Sequence, residues 1–236
     1  MPDRLNEAPL NQGPRRPASA AQQDYLKALY ALGAQDNVST SELALELGVR
    51  PASASEMLVK LAEAGLVQHD PYRGARLTPA GESIALEMVR HHRLLETYLV
   101  VALGYTWDEV HIEADRLEHT ISEKLETRMW EALGRPGFDP HGDPIPAPDG
   151  SLAAKLESPL AAMPVGSSRL VSRILDRDPE RLRALEAIGL LPGTRVTMIA
   201  PSRWEGPIEV EVDGVAVPVP LGLARAVFME RDDGRA

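Results

Sequence analysis

Four side chains able to bind a metal ion stand close together in the sequence: His111, Asp115, Glu118 and His119. Their spacing is i, i+4, i+7 and i+8, so on an α-helix with roughly 3.6 residues per turn they lie along one face. Imidazole and carboxylate groups are ligands for divalent transition metals. The pattern therefore predicts a metal site built from nitrogen and oxygen donors.

His92 and Glu96 form a second pair at helical spacing, four residues apart. If the two helices pack antiparallel, both sets of side chains meet in their interface, as in the metal sites of helical bundles. Residues 84–133 hold ten Asp or Glu against five Lys or Arg, and a divalent cation relieves the repulsion among such carboxylates. We expect two cations there. His91 points elsewhere on its helix and is interpreted as a bystander.

The same residues allow an interpretation without a metal. They can form the solvated polar edges of an amphipathic helix. The apolar face of that helix would consist of Val110, Ala114, Leu117, Ile121 and Leu125.

The composition narrows the class of protein. There is no cysteine among the 236 residues, which excludes disulfides, thiolate zinc sites and iron–sulfur clusters. No segment approaches the roughly 20 consecutive apolar residues of a membrane span, and residues 1–20 are polar with four prolines. We expect a soluble cytoplasmic protein with no membrane partner and a flexible tail at residues 1–20. The net charge of −10 does not exclude nucleic acid, because specific binders can confine basic residues to one face.

Residues 21–82 have the pattern of a winged helix-turn-helix. Amphipathic helices are predicted at 22–32 and at 39–48, where the second opens with a capping box of sequence STSE. A third helix is predicted at 51–65, between a proline suited to a first helical position and a terminating glycine. Two short strands with a proline- and glycine-containing turn follow at 66–78 and form the wing.

Basic and small side chains around the third helix and the wing would permit close approach to DNA. The candidate DNA contacts are Ser39, Arg50, Pro51, Ala52, Ser53, Ser55, Lys60, Arg73 and Arg76. The alternative is a scaffold that does not bind DNA, because helix-turn-helix geometry also occurs in such proteins.

Residues 83–150 are predicted to form a helical metal-binding domain. One long helix spans 78–103, and a capping box at 106–109, of sequence TWDE, starts another that runs to about residue 133. The two form an antiparallel pair. Residues 134–150 contain five prolines and four glycines and are interpreted as a linker or extended loop.

Residues 151–236 change to β texture and are predicted to form a small β-barrel domain. Asp213-Gly214 is a hairpin signal, and one helix is predicted from Asp178-Pro179 to about Gly189. The predicted strands are 169–175, 195–200, 208–212 and 215–219. We expect the fold class of the whole chain to be mainly α.

Several longer motifs allow a comparison with a known family. They are DYL at 24–26, GLV at 65–67, LTPAG at 77–81, HRLLE at 92–96, VHIEADRLEH at 110–119 and DPHGDPIP at 139–146. With these motifs the sequence resembles, over residues 22–230, the diphtheria-toxin-repressor family of iron- and manganese-dependent transcriptional regulators. The resemblance implies a homodimer, a dimerisation role for the helical domain and an SH3-like C-terminal barrel.

The resemblance also implies two metal sites in each subunit. The primary site would use Asp24, Asp115, Glu118 and His119. The ancillary site would use His92, Glu96 and His111, with Asp178 of the C-terminal domain as a further ligand. Iron-responsive members carry methionine and cysteine where this chain has Asp24 and Asp115. Hard oxygen ligands suit Mn(II), so Mn²⁺ is the first choice and Fe²⁺ the second.

Two positions depart from the family pattern. Lys27 stands where two-domain manganese regulators have a further glutamate, which puts their close two-metal arrangement in doubt. Arg181 stands where three-domain members have a metal-ligating glutamine.

The predicted function is that of a regulator and not of an enzyme. We expect a metal-dependent repressor of metal-import genes, activated by Mn(II), that binds a palindromic operator in double-stranded DNA. The first alternative is Fe(II) as the activator. The second is a metal-dependent hydrolase, since the same ligands with an open coordination position can activate water. Hydrolysis assays with Mn(II) and salt-dependent duplex binding distinguish the hydrolase and the scaffold from a regulator.

Overall fold

The computed structural model describes residues 18–33 and 37–231. Most of the tail predicted at residues 1–20 lies outside them, and the first helix already begins at Ala20. Among the described residues, no helix has both the length and the apolarity needed to cross a membrane.

The N-terminal domain is a winged helix-turn-helix, as predicted. Its elements are α1 (Ala20–Gly33), α2 (Thr40–Glu46), α3 (Pro51–Glu63), β1 (Val67–Asp70) and β2 (Gly74–Leu77). Ser39 caps α2 in a full capping box with Glu42, so the sequence signal is confirmed. The three helices close over Leu26, Leu43 and Leu58, which are fully buried.

The helical domain contains three helices: α4 (Pro79–Leu103), α5 (Val110–Leu117) and α6 (Glu123–Ala132). The single helix predicted from 106 to 133 is wrong, as is the capping box at its start, because the N-cap Glu109 makes no side-chain cap bond. The chain leaves the helix at Glu118, whose carbonyl lies 3.2 Å from the His91 ring nitrogen Nδ1. Ser122 then caps α6 by accepting a bond from the Leu125 N–H.

Residues 134–150 pack against the domain rather than connecting two domains loosely. Arg90 and Arg93 of α4 donate to the carbonyls of Pro146 and Pro144, both at 2.6 Å. Gly142 has φ 88° and lies so close to the Ser172 carbonyl that an added Cβ would stand 2.1 Å from it. We call residues 134–150 the seated loop. Glycine at position 142 permits the close contact with Ser172, and the two arginines of α4 bind carbonyl groups of the loop.

The C-terminal domain combines one sheet with short helices. Its elements are β3 (Glu157–Pro159), η1 (Leu160–Ala162), β4 (Ser168–Ile174), α7 (Pro179–Ala187), β5 (Arg195–Ala200), β6 (Ile208–Val212), β7 (Val215–Val219), α8 (Leu221–Ala226) and β8 (Val227–Glu230). The predicted hairpin is present, with positive φ at Asp213 and Gly214 between β6 and β7. Trp107 of the helical domain is buried in the core of this domain and donates to Glu186 at 3.1 Å.

The sheet of this domain is open, so the prediction of a closed barrel is wrong. Its strand order is β3-β8-β4-β5-β6-β7, with all paired strands antiparallel. Both edge strands contain a proline, Pro159 in β3 and Pro218 in β7, and proline cannot donate a ladder hydrogen bond. With this six-stranded sheet the chain is mixed α and β rather than mainly α.

Candidate metal centre and DNA-binding surface

The antiparallel packing of α4 and α5 brings the predicted ancillary residues together. His92 Nε2 lies 2.9 Å from Glu96 Oε1 and 2.8 Å from His111 Nδ1. His111 Nδ1 also lies 3.1 Å from Glu96 Oε1. His92 and Glu96 are buried, so a charged group here depends on its neighbours for stabilisation.

A second group joins the DNA-binding domain to the helical domain. Asp24 on α1 lies 2.9 Å from His119 Nε2, and that nitrogen is 3.8 Å from Glu118 Oε1. The other ring nitrogen of His119 lies 2.9 Å from the side-chain oxygen of Gln23, also on α1. Glu118 and His119 follow the end of α5, so the turn after the helix, and not one continuous helical face, directs them toward α1.

Asp115 lies between the two groups rather than with Asp24. Its carboxylate oxygens are 3.2 Å from His92 Nδ1 and 3.5 Å from His111 Nε2. The oxygens and nitrogens that could bind a cation form three sets within 4.8 Å: His92, His111 and Asp115; Asp24, Glu118 and His119; and Glu96, Asp139 and His141. The predicted ligands therefore converge, but their division into two sites differs from the predicted one at Asp115.

The third set was missed by sequence reasoning as a ligand group. Asp139 and His141 belong to the DPHG part of the seated loop, which carried a family motif but no predicted role. His141 Nδ1 lies 3.8 Å from Glu96 Oε2. Asp139 accepts 2.9 Å bonds from the backbone N–H groups of His141 and Asp143. The signal that could have found this set is the aspartate and histidine in a loop rich in proline and glycine.

Lys27 stands at the centre of the site. Its Nζ lies 3.0 Å from Asp115 Oδ1, and 2.9 and 2.7 Å from the two oxygens of Glu118. The same Nζ lies 3.0 Å from His92 Nδ1. The two nitrogens are close together because both contact the Glu118 carboxylate, which is 2.7 Å from His92 Nδ1. The sequence marked this position as a departure from the family, and tertiary packing makes it the central cation of the site.

The carboxylates and the buried histidine stabilise each other's charged forms. Burial alone lowers the pKa of His92, but Glu96, Asp115 and Glu118 outweigh it and raise that pKa to about 10. For Glu118, burial raises the pKa, and His92 and Lys27 reverse the effect and lower it. Burial raises the pKa of Asp24, with His119 opposing.

The predicted ligand Asp178 caps a helix in this structure. Its Oδ1 accepts bonds from the N–H groups of Glu180 and Arg181, at 2.9 and 3.4 Å. A cavity of about 730 Å³ is lined by the candidate ligands His92, Glu96 and His111, and the C-terminal domain contributes Asp176, Arg177 and Arg181 to its lining. Among the described residues, Asp178 is in none of the three ligand sets.

His91 lies outside the ligand sets but is a structural residue rather than a bystander. Its two ring nitrogens lie 3.2 Å from the Glu118 carbonyl and 3.1 Å from Glu126 Oε2. Burial lowers the pKa of His91, and Glu126 reverses this and raises it. Both neighbours are acceptors, so the imidazolium form of His91 can donate from both nitrogens.

Most of the predicted DNA-contact residues lie on an exposed face. Arg50 is the N-cap of α3, and Pro51, Ala52 and Lys60 on α3 are exposed, as is Arg73 in the wing. Ser53 and Ser55 are half-buried, Arg76 is exposed and donates to Gln68 at 2.8 Å, and Ser39 caps α2. The predicted DNA-contact residues therefore lie on and around α3, the second helix of the helix-turn-helix.

Known families match all three domains. Residues 18–75 match the N-terminal DNA-binding domain of iron-dependent repressors, and residues 78–147 match their metal-binding and dimerisation domain. Residues 158–231 match the FeoA domain. The diphtheria toxin repressor of Corynebacterium glutamicum is 30% identical over 222 residues, covering 89% of this chain and 96% of that protein.

The chain belongs to the iron-dependent repressor family. Another relative in this family is the iron-dependent repressor IdeR of Mycobacterium leprae, 30% identical and covering 88% of this chain and 95% of the relative. Members of the family are DNA-binding transcriptional regulators, and this chain is a metal-dependent repressor by family.

Solved structures of the family include manganese-dependent members. A manganese-dependent transcriptional repressor in complex with manganese matches with a TM-score of 0.82 and 43% identity, over 89% of this chain and 99% of that one. The manganese regulator SloR matches with a TM-score of 0.71 and 30% identity, over 89% and 98% of the two chains.

The residues present fit a divalent metal ion. The donors are imidazole nitrogens and carboxylate oxygens, which suit Mn(II) and Fe(II), and no cysteine is available to favour a softer ion. Buried carboxylates of the site also lie around the same positively charged neighbours. A bound cation stabilises carboxylates in such an arrangement. The choice between manganese and iron stays open at this point.

Proposed function

We propose that the chain is a Mn(II)-activated transcriptional repressor, with Fe(II) as the second candidate activator. The observation that carries the proposal is the approach of Asp24 to His119 at 2.9 Å. Asp24 belongs to the DNA-binding domain and His119 to the helical domain. One set of candidate ligands therefore contains residues of both domains. A metal ion bound by that set would link metal binding to the position of the recognition helix.

Asp24 and Asp115 support manganese over iron. Both are carboxylates, and hard oxygen donors favour Mn(II) over a softer site. The manganese-dependent repressor with 43% identity points in the same direction. We propose two cations in each subunit. One is bound by Asp24, Asp115, Glu118 and His119, and the other by His92, Glu96 and His111. Asp178 becomes a further ligand of the second cation if its side chain leaves its capping position at the start of α7.

A bound divalent cation supplies the positive charge that neutralises carboxylates of both domains at once. Asp24 then orients α1, and through the shared core of the winged helix it orients α3. A largely inactive population becomes largely active only if the active arrangement binds the metal roughly 10⁴-fold more tightly. Two sites in each subunit make such a preference attainable.

The DNA-binding face completes the proposal. The major groove would be faced by the small residues at the start of α3, namely Pro51, Ala52, Ser53 and Ser55. DNA phosphates would be contacted by polar and basic residues around them, namely Ser39, Arg50, Lys60, Arg73 and Arg76. A homodimer in the cytoplasm would place two recognition helices roughly 34 Å apart on a palindromic operator, and the regulated genes would encode metal importers. A hydrolase role is not proposed, because the family's named members are repressors.

The test is duplex binding with and without metal. The purified protein is titrated against the DNA upstream of its own gene and of metal-importer genes, in Mn(II), in anaerobic Fe(II) and in chelator. We expect sequence-selective binding that requires metal, with Mn(II) more effective than Fe(II). Equal binding in chelator and in metal would contradict metal activation, and no binding at low salt would contradict the DNA-binding function.

A further inference from the structure

The Lys27 ammonium group, on α1 of the DNA-binding domain, lies between two of the three ligand sets. It lies within 3.0 Å of oxygens of Asp115 and Glu118, and the same distance from His92 Nδ1. These three residues are divided between two of the ligand sets. The Lys27 side chain is 15% exposed and that of Glu118 is 2% exposed, whereas that of Asp115 is 48% exposed, so the contact with Glu118 is the one shielded from water.

A divalent cation and this ammonium group compete for the same oxygens. Two positive charges that share the buried Glu118 carboxylate repel one another, because little water reaches it to screen them. Lys27 occupies one lone-pair direction on Asp115 Oδ1 and one on each Glu118 oxygen, out of the roughly four that an ionised carboxylate offers. The lysine therefore takes part of the donor set of both carboxylates, and its charge repels a cation placed among the same oxygens.

The structure also provides a place for the displaced side chain. Lys27 lines the cavity of about 730 Å³ beside the site, together with Glu46 of α2. A long, flexible lysine can move its charged end into such a cavity while its aliphatic stem stays packed. Displacement thus requires no change in the path of α1.

We infer that Lys27 is a built-in competing cation that sets the metal concentration at which this protein responds. Its ion pairs with Asp115 and Glu118 neutralise these carboxylates and join α1 to α5 and the residue that follows it. A metal ion that binds Asp115 and Glu118 competes with Lys27, which weakens the observed affinity of that site. This inference rests on the proposed function, and it adds to that function a residue that tunes the affinity for divalent metals.

The test compares Lys27→Met with the wild-type protein. Methionine keeps an unbranched stem but removes the charge. Lys124→Met is the control, because it makes the same change in net charge at an exposed position on α6. Mn(II) affinity is measured by titration calorimetry, and melting temperatures are measured in chelator and in Mn(II).

We expect Lys27→Met to bind Mn(II) at least tenfold more tightly than wild type, and Lys124→Met to match wild type. The metal-free melting temperature of Lys27→Met should fall, and saturating Mn(II) should restore it. A purely structural role for Lys27 would instead lower the melting temperature equally in both conditions. If Lys27→Met does not fold, Lys27→Gln, which keeps a hydrogen-bond donor, is measured in its place.

The outcomes separate this inference from the proposed function. Wild-type binding of Mn(II) with no tighter binding by the variant would overturn the inference and leave the function standing. Binding by the variant alone would support Lys27 as the competitor and contradict the wild-type protein as a manganese sensor. Failure of both proteins to bind Mn(II) would overturn both.

Discussion

Asp24 connects two parts of the chain that fold around separate cores. Its neighbours Tyr25 and Leu26 are buried in the winged-helix core, whereas the core of the helical domain contains Leu94 and Ala114. The contact of Asp24 with His119 therefore lies between the cores and adds little to either one. A residue in this position can change the relation of the domains without unfolding them.

Replacing Asp24 by alanine tests that role. The side chain is 45% exposed, so the melting temperature should change little. Metal affinity should fall roughly 10–100-fold, the loss that follows even removal of a group that only supports a ligand, and metal-dependent DNA binding should weaken with it. Fluorescence anisotropy with and without Mn(II) measures this. Glu63→Ala, an exposed carboxylate of the same domain, is the control, and unchanged DNA affinity in Asp24→Ala would contradict the mechanism.

Glu126 illustrates a carboxylate with a purely structural role. His91 lowers its pKa, and the Arg90 ion pair adds to the effect against burial. A lowered pKa stabilises the folded protein above the unfolded value, near 4.5, and the stabilisation is lost as the pH falls through the folded value. Glu126→Gln should therefore destabilise the protein by about 2 kcal/mol at pH 7.

The pH dependence of that variant is the measurement. Urea unfolding of wild type and Glu126→Gln should give a difference in free energy that is present at about pH 7 and shrinks as the pH falls through the lowered pKa of Glu126 in the folded protein. Glu131→Gln, on the exposed side of α6, should show no such difference. A difference that does not shrink on acidification would contradict the role assigned to the ionised carboxylate.

At the scale of elements, the break between α5 and α6 is the feature that forms the site. A continuous helix satisfies each carbonyl with an N–H four residues later, but the Glu118 carbonyl is next to His91 instead. The turn that results points Glu118 and His119 toward α1. Helical periodicity alone favoured one long helix because it contains no information about a partner on α4.

The seated loop at residues 134–150 depends on Gly142. A Cβ there would lie 2.1 Å from the Ser172 carbonyl and 2.8 Å from Arg173 Cα, at a φ of +88°. Gly142→Ala should lower the free energy of unfolding by at least about 2 kcal/mol, as overpacked substitutions do. Gly137→Ala in the same loop meets no atom within 4 Å and is the matched control. Equal melting temperatures in the two variants would show that the loop does not rest on β4 through Gly142.

At the scale of the whole molecule, the match to a metal-binding and dimerisation domain directs attention to the exposed apolar side chains of the helices. Val101 on α4 is 69% exposed and Ile112 on α5 is 54% exposed. Exposed apolar side chains are common on protein surfaces, so it is the match of this domain to a dimerisation domain that makes these two candidates for a surface that a partner covers. A second copy of the chain would cover them in the homodimer.

Val101→Glu tests the position of that interface. A charge placed in an apolar interface is costly unless it is paired, so sedimentation velocity should shift from dimer toward monomer, by at least tenfold in the dimer dissociation constant. Val215→Glu, at a similar exposure of 61% on β7, should leave the dimer intact. A stable Val101→Glu dimer would place the interface elsewhere on the helical domain.

Local signals in the sequence were enough for several elements and for most of the site. The capping box at Ser39, the proline at the first position of α3 and the Asp213-Gly214 turn act through nearest neighbours, so each predicted its element correctly. The spacing of His92 with Glu96 and of His111 with Asp115 placed each pair on one helical face. The packing of α4 with α5 then brought these pairs together.

The tertiary structure decided what depends on contacts between distant residues. It set the position of Lys27 between Asp115 and Glu118, the entry of His141 beside Glu96, and the open sheet. Burial and charge at these points come from segments far apart in the chain, and no local pattern encodes them. The sequence by itself determined which residues can bind a metal and which elements carry them, and packing between the domains determined which of them meet.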